Sequence, residues 1–229
     1  MTMRIMTTIG LAAFLTVPAL AVPDLSGIWM LRGLAQESEL AMTAKALDIQ
    51  AAYDLLEDDP SLYCEPASTS RVWANPNVRI AFDQAADQVL ISYEFYDLRR
   101  AIPLADANTS DLPSTRNVTG TYFAKKGRSH AQNVGERLVI YSDHHEPGYI
   151  RTSRGVPQSG HTTTTEELWL EGDVLRLRLT YADDTLFEKP FVIDYEFIRL
   201  DETELPLYDC TDADYDWFEQ LNAPKEQQR

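Results

Sequence analysis

The sequence predicts a mainly β protein: an antiparallel up-and-down barrel or strongly curved sheet, with one amphipathic helix near its N-terminus. Three observations carry this. From Val78 onward, short runs alternate apolar and polar residues, the period of a strand with one buried face. Polar, turn-like breaks separate those runs at hairpin spacing. The one stretch with helical spacing, Glu37 to Leu56, precedes them all.

The chain opens with Arg4, an apolar run from Ile9 to Leu20, and the small-x-small ending Ala19-Leu20-Ala21. That pattern predicts a cleaved leader over 1–21 and a periplasmic or secreted protein beginning at Val22. The run is shorter than the about 20 apolar residues a membrane-spanning helix needs. Residues 22–222 are then expected to form one β-barrel-like domain, and 223–229 a polar, disordered tail.

Within 37–56, Leu40, Ala44, Leu47 and Ala51 fall on one helical face; Ser38 is placed to cap the helix and Asp58-Asp59-Pro60 to end it. Strands are expected at Val78–Phe82 and Val89–Tyr96, at Thr119–Ala124 and Arg137–Ser142, and at Glu166–Leu170 and Val174–Tyr181. The last two are Thr185–Phe187 and Phe191–Leu200. In Val174–Tyr181 the alternation is cleanest: Leu175, Leu177, Leu179 and Tyr181 against Arg176, Arg178 and Thr180. Two long loops, 105–117 and 144–161, are placed to hold a ligand at a barrel rim.

Composition narrows the function classes. The net charge is −16, with 36 Asp and Glu against 20 Lys and Arg, which argues against nucleic acid and against anionic lipid. Cys64 and Cys210 are the two cysteines. In an oxidising compartment they predict one disulfide between the chain's two ends, and so far apart they make a poor metal site. Asp143-His144-His145-Glu146 has metal-binding residue types, but adjacent strand residues point to opposite faces, so no metal or other cofactor is expected. No Gly-x-Ser-x-Gly, Gly-rich phosphate loop or His-Glu-x-x-His occurs, which leaves acid/base chemistry or binding.

Three polar residues stand out. Glu94 falls inside an expected strand whose two faces both look apolar, where a carboxylate needs a cation or carries a raised pKa. Arg100 shares its parity, yet six extended residues span about 20 Å, so the two meet only if the chain bends. His161, at the start of a strand, is a candidate general base.

Gly27-Ile-Trp29 resembles the Gly-x-Trp that opens lipocalin-type barrels, where the indole closes the barrel floor. More widely, the landmarks resemble an uncharacterised family of exported bacterial proteins that opens with Asp-Leu-Ser-Gly-x-Trp, as Asp24 to Trp29 do here. Further matches are Cys64-Glu-Pro66, Asn75-Pro76, Glu94 with Arg100-Ala-Ile102, His161-Thr162 before Thr165-Glu166, and Tyr208-Asp-Cys210. The family's central Gly-x-x-x-Gly-x-Trp-Glu-Gly-Asp survives only as Gly120 and Gly135-Glu136, without its Trp and with a longer insert. The resemblance implies export, a barrel and a disulfide, and singles out Glu94, Arg100 and His161; it implies no reaction.

Together these observations predict a carrier of a small, largely apolar molecule. Its walls would be Trp29, Tyr93, Phe95 and Trp169, and Glu94 and Arg100 its fixed polar contacts. The alternative is an isomerase, hydratase or hydrolase on the same barrel, with Glu94 or His161 moving a proton and Arg100 holding negative charge. A third reading is an interaction or assembly module.

Overall fold

Successive hairpins wrap into one curved antiparallel sheet. The computed structural model describes residues 23–104, 113–208 and 210. Strand β1 (Gly27–Glu37) leads into helices α1 (Ala44–Ala52), α2 (Leu55–Asp58) and α3 (Thr69–Trp73). Then follow β2 (Arg79–Gln84), β3 (Gln88–Tyr93), β4 (Leu98–Pro103), β5 (Thr115–Arg116), β6 (Arg128–Val134) and β7 (Arg137–Asp143). A small hairpin, β8 (Gly148–Arg151) and β9 (Val156–Gln158), precedes β10 (Thr163–Glu171), β11 (Val174–Ala182) and β12 (Phe191–Leu200). The sheet runs β5-β4-β3-β2-β1-β12-β11-β10-β7-β6, so the last strand returns to pair with the first.

The wall does not close. Its two edges, β4–β5 and β6, meet along a seam through one parallel bridge, Leu104 with Ala131, and through Ser114, whose amide donates to the Gly127 carbonyl at 3.2 Å. At the corner of this seam, Gly127 has φ +69°, and a Cβ there would stand 2.2 Å from the Asp143 carbonyl, so only glycine fits.

Period-2 patterning fills the interior. Leu175, Leu177, Leu179 and Tyr181 on β11 face Ile193, Tyr195 and Phe197 on β12, all buried. At about 1.5–3 kcal/mol for each large apolar side chain taken out of water, this face is what holds the sheet curved around it. The outer face carries ion pairs instead, such as Arg178 with Asp194 through two 2.9 Å bonds. Trp29 is buried in the core: its indole N–H donates to the Leu25 carbonyl at 2.8 Å, and the Arg199 guanidinium lies 4.4 Å above the ring.

Several expected boundaries move. The helix over 37–56 is shorter and broken. Strand β1 continues to Glu37 because it stays paired with β12 through two bulges, and the Ser38 hydroxyl accepts from the Val192 amide rather than capping a helix. Thr43 caps α1, accepting from the Ala46 amide at 3.3 Å, and Tyr53 ends it in extended geometry. The buried residue is Ala46, while Leu47 is 49% exposed: the helix presents a neighbouring face to β9, and Tyr53 leaves it to pack on Tyr149 and Gly155. The strand expected to run to Tyr96 stops at Tyr93, where Glu94–Asp97 turn the chain into β4 with Tyr96 and Asp97 at positive φ. Thr119–Ala124 is a turn with a single bridge, Arg116 to Tyr122, and Thr185–Phe187 a turn with one, Phe187 to Met42. The loop 144–161 contains the β8–β9 hairpin, which buries Ile150 and Val156. The expected leader (1–21), most of the loop 105–117 and the tail (223–229) lie outside the described residues. No helix among the described residues is long and apolar enough to cross a membrane.

Candidate functional site

Parity places Arg100 inside the barrel. It lies on β4 between Leu98 and Ile102, both fully buried, and is itself 2% exposed. Across the interior, β10 points Thr164, Glu166 and Leu168 inward, and Glu166 has no exposure at all. The two form a bidentate pair: Arg100 Nη1 donates to Glu166 Oε1 at 2.8 Å and Nη2 to Oε2 at 2.6 Å. Nη2 also reaches the hydroxyls of Ser129 at 2.9 Å and Ser142 at 3.0 Å, on β6 and β7. The pair thus ties β4 to the far edge of the sheet across the open seam.

A third donor comes from α3. Ser68 caps that helix, and the Ser68 and Ser70 hydroxyls both donate to the Ile150 carbonyl at 2.9 Å, which clamps α3 to β8. Trp73 therefore projects into the barrel among Phe82, Tyr93 and Phe197, and its indole N–H donates to Glu166 Oε1 at 2.6 Å. With three donors on it, both oxygens of the Glu166 carboxylate are engaged.

Around this tie lie buried polar atoms without hydrogen-bond partners: Lys126 Nζ, Arg100 Nε, His145 Nε2, and the hydroxyls of Tyr93, Thr115 and Thr164. Interior polar groups are nearly always paired, so a cluster of exceptions marks a place where something else belongs, water or ligand. Burial, with Arg100 next, holds the Lys126 amine well below the ordinary lysine range. His145 donates from Nδ1 to the Lys125 carbonyl at 3.2 Å, which leaves Nε2 bare. Burial brings its pKa down to about 4, and Arg100 and Lys126 push the same way. Tyr93 is raised above the ordinary phenol range by burial; it feels the Arg100 charge without a well-formed bond to it.

The residues nominated by sequence divide. Tyr93 and Arg100 are in this interior cluster. Glu94 is not in a strand and does not pair with Arg100. It opens the β3–β4 turn, and its carboxylate accepts from the Arg79 amide at 2.7 Å, with the Arg79 guanidinium 3.6 Å away. Phe95 is buried in the same turn, against Tyr96 and Tyr208 and under Arg71. Trp169 stands on the outer face of β10, not in the interior; its N–H donates to Glu171 and Arg137 covers its ring at 4.3 Å. His161 is exposed in the turn before β10. Glu94, Arg100 and His161 share no partner, so the arrangement assembles no acid/base pair from them. His144 is exposed beside Asp143 while His145 turns inward, and no group of three potential ligands for a metal occurs among the described residues. Cys64 and Cys210 are joined by a disulfide with Cα atoms 5.9 Å apart.

Sequence reasoning did not nominate Glu166, Trp73, Lys126 or His145 for this cluster. The parity of β10 carries a signal for Glu166, which shares Leu168's inward face. Nothing local signals Lys126, one of two adjacent lysines in a polar stretch.

A concavity of about 320 Å³ opens on the far side of α3 between Leu55, Asp59, Arg71, Ile150 and Arg151. Ser70 lines it too, but its amide donates inward, to the Tyr181 hydroxyl at 2.7 Å inside the barrel.

No family model matches the chain, and no curated protein matches it. Among solved structures it is similar to the fluorescent protein UnaG. The wild type and two single-residue variants align at 14–15% identity and TM-scores of 0.39–0.40, over 77–78% of this chain and 97% of theirs.

Proposed function

We propose that this protein binds a small, largely apolar molecule inside its barrel, as an exported carrier. The observation that supports this most directly is the set of unpaired polar atoms, Lys126 Nζ, Arg100 Nε and the Tyr93 hydroxyl, in an interior otherwise walled by aromatic and aliphatic side chains. Such a composition, apolar walls with a few convergent polar groups, is what small-molecule sites use to fix orientation. The disulfide is compatible with an oxidising compartment, in line with the expected leader.

Native mass spectrometry of protein taken from the periplasm, repeated after denaturation, tests the reading. A small mass lost on denaturing is expected. Bare protein, together with no change in tryptophan fluorescence on titration with apolar probes of several lengths, would overturn it. Trp73 makes that second readout sensitive, because its indole stands in the cluster.

A further inference from the structure

The unpaired groups at the seam are unevenly divided. Lys126 Nζ and Arg100 Nε are donors on two buried basic side chains. The carboxylate bonded to Arg100, Glu166, has both oxygens engaged by Arg100 itself and by Trp73. Arg100 therefore has a bonded counter-charge and Lys126 has none. Hydroxyls that can also donate stand nearby, on Tyr93 and on Thr115, which lies opposite Arg100 across β4 and β5. The place is also where the wall is open: Lys126 ends the turn that leads into β6, and that edge meets β4 through a single bridge.

We infer that this corner is an anion subsite, receiving the carboxylate of an otherwise apolar organic acid between Lys126 Nζ and the Nε edge of Arg100, beside the Tyr93 hydroxyl. The inference rests on the carrier reading and names the class of its ligand. A carboxylate supplies acceptors to both donors and one negative charge beside the Lys126 amine. The groups whose charges act at Lys126 are Arg100 from β4, Glu166 from β10, Arg71 from α3 and the neighbouring Lys125; His145, beyond β7, is uncharged above about pH 4. Burial and this cationic surplus keep the free amine neutral further down the pH scale than an ordinary lysine. An incoming carboxylate reverses that balance, so binding takes a proton from solvent onto Nζ. Affinity for the acid therefore falls as pH rises through the range where only the complex holds the proton.

Titration calorimetry with decanoate and decan-1-ol, at about pH 6 and about pH 9 and in two buffers of different ionisation enthalpy, reads this directly. Decanoate is expected to bind at least about tenfold more tightly than the alcohol, the difference one charge-assisted hydrogen bond makes. Proton uptake should accompany the acid and not the alcohol. In Lys126→Met, which keeps the volume and removes the amine, the preference and the uptake should both vanish while the alcohol still binds. Equal affinity for acid and alcohol in the unaltered protein, without proton uptake, overturns the anion subsite and leaves the carrier reading standing. If neither probe binds, the anion subsite falls, and the carrier reading is decided by the native mass spectrum and the longer and shorter apolar probes. The proton count in the unaltered protein needs no variant, so a poorly folded Lys126→Met does not blunt the test.

Discussion

Glu166→Gln isolates the tie that crosses the barrel. The substitution keeps the shape of the side chain and removes its charge. In the native protein the carboxylate has no exposure and receives two bonds from Arg100 and one from Trp73, at 2.6–2.8 Å. A glutamine retains one acceptor oxygen, so at least one donor is left facing an amide N–H₂, and the Arg100 guanidinium is left buried without a counter-charge. Breaking a buried pair by removing one partner costs about 3–5 kcal/mol. Against a typical total of about 5–15 kcal/mol that is a large share, and it corresponds to a fall in Tm of about 10 °C in a chain of this size. Removing both charges together with Arg100→Met and Glu166→Leu should cost less than the single change, because the remaining penalty is one indole N–H without an acceptor, about 1–3 kcal/mol. Urea unfolding followed by tryptophan fluorescence compares the two variants. A single variant within about 0.5 kcal/mol of the native protein, or a double variant no more stable than the single, would refute the reasoning.

The same interior sets three further outcomes. Lys126→Met should stabilise the ligand-free protein by about 1–3 kcal/mol, since it removes a buried donor that has no partner; urea midpoints check this. In the native chain the folded lysine gives up its proton before the unfolded one does. Its penalty is therefore full at low pH and relieved as pH rises, a slope the variant should lose. His145, with its pKa lowered to about 4 from 6.5, works in the same direction at acid pH. Below pH 6.5 the unfolded chain binds the proton first, so about 3 kcal/mol of stability is lost between there and about pH 4, and His145→Phe should flatten that limb of a Tm-against-pH curve. Reducing the Cys64–Cys210 bond, which spans 146 residues of sequence, should lower stability by up to about 5 kcal/mol in the loop-entropy model, read as a shift in urea midpoint with and without dithiothreitol.

What the sequence shows clearly is what depends on local period. The β11 and β12 strands come out within one residue of their expected bounds, because large apolar residues recur at every second position from Leu175 to Tyr181 and from Phe191 to Phe197 and each strand is bounded by an acidic turn or a proline. The disulfide follows from arithmetic with two cysteines. The misreadings fall where tertiary contacts override local pattern. β1 absorbs residues with helical spacing because β12 offers it partners, and bulges let the register continue. Glu94 looks like a strand residue between apolar neighbours, yet the chain reverses on it, since Asp97 and Tyr96 accept positive φ and bring Tyr93 opposite Leu98.

The site divides along the same line. Arg100 is nominated in the sequence through Glu94's parity and the Arg100-Ala-Ile102 landmark, with no strand expected around it. Once β4 is in place, Arg100 is a lone charge between Leu98 and Ile102 on a buried face, and Glu166 stands the same way on the inward parity of Leu168, so each charge is the other's explanation. Parity reaches only residues whose facing is fixed by a strand. Lys126 and Trp73 are set by a turn at the seam and by a five-residue helix clamped to Ile150, where facing depends on contacts far away in sequence. The structural tie is the readable part of this interior. Of the groups left over, Arg100 Nε and the Tyr93, Thr115 and Thr164 hydroxyls belong to strands, whereas Lys126 and His145 come from irregular segments. Lys126 sits in a turn at an unclosed seam, where no facing strand supplies its amine with an acceptor, and so the buried amine of the interior is also the group that local pattern signals least.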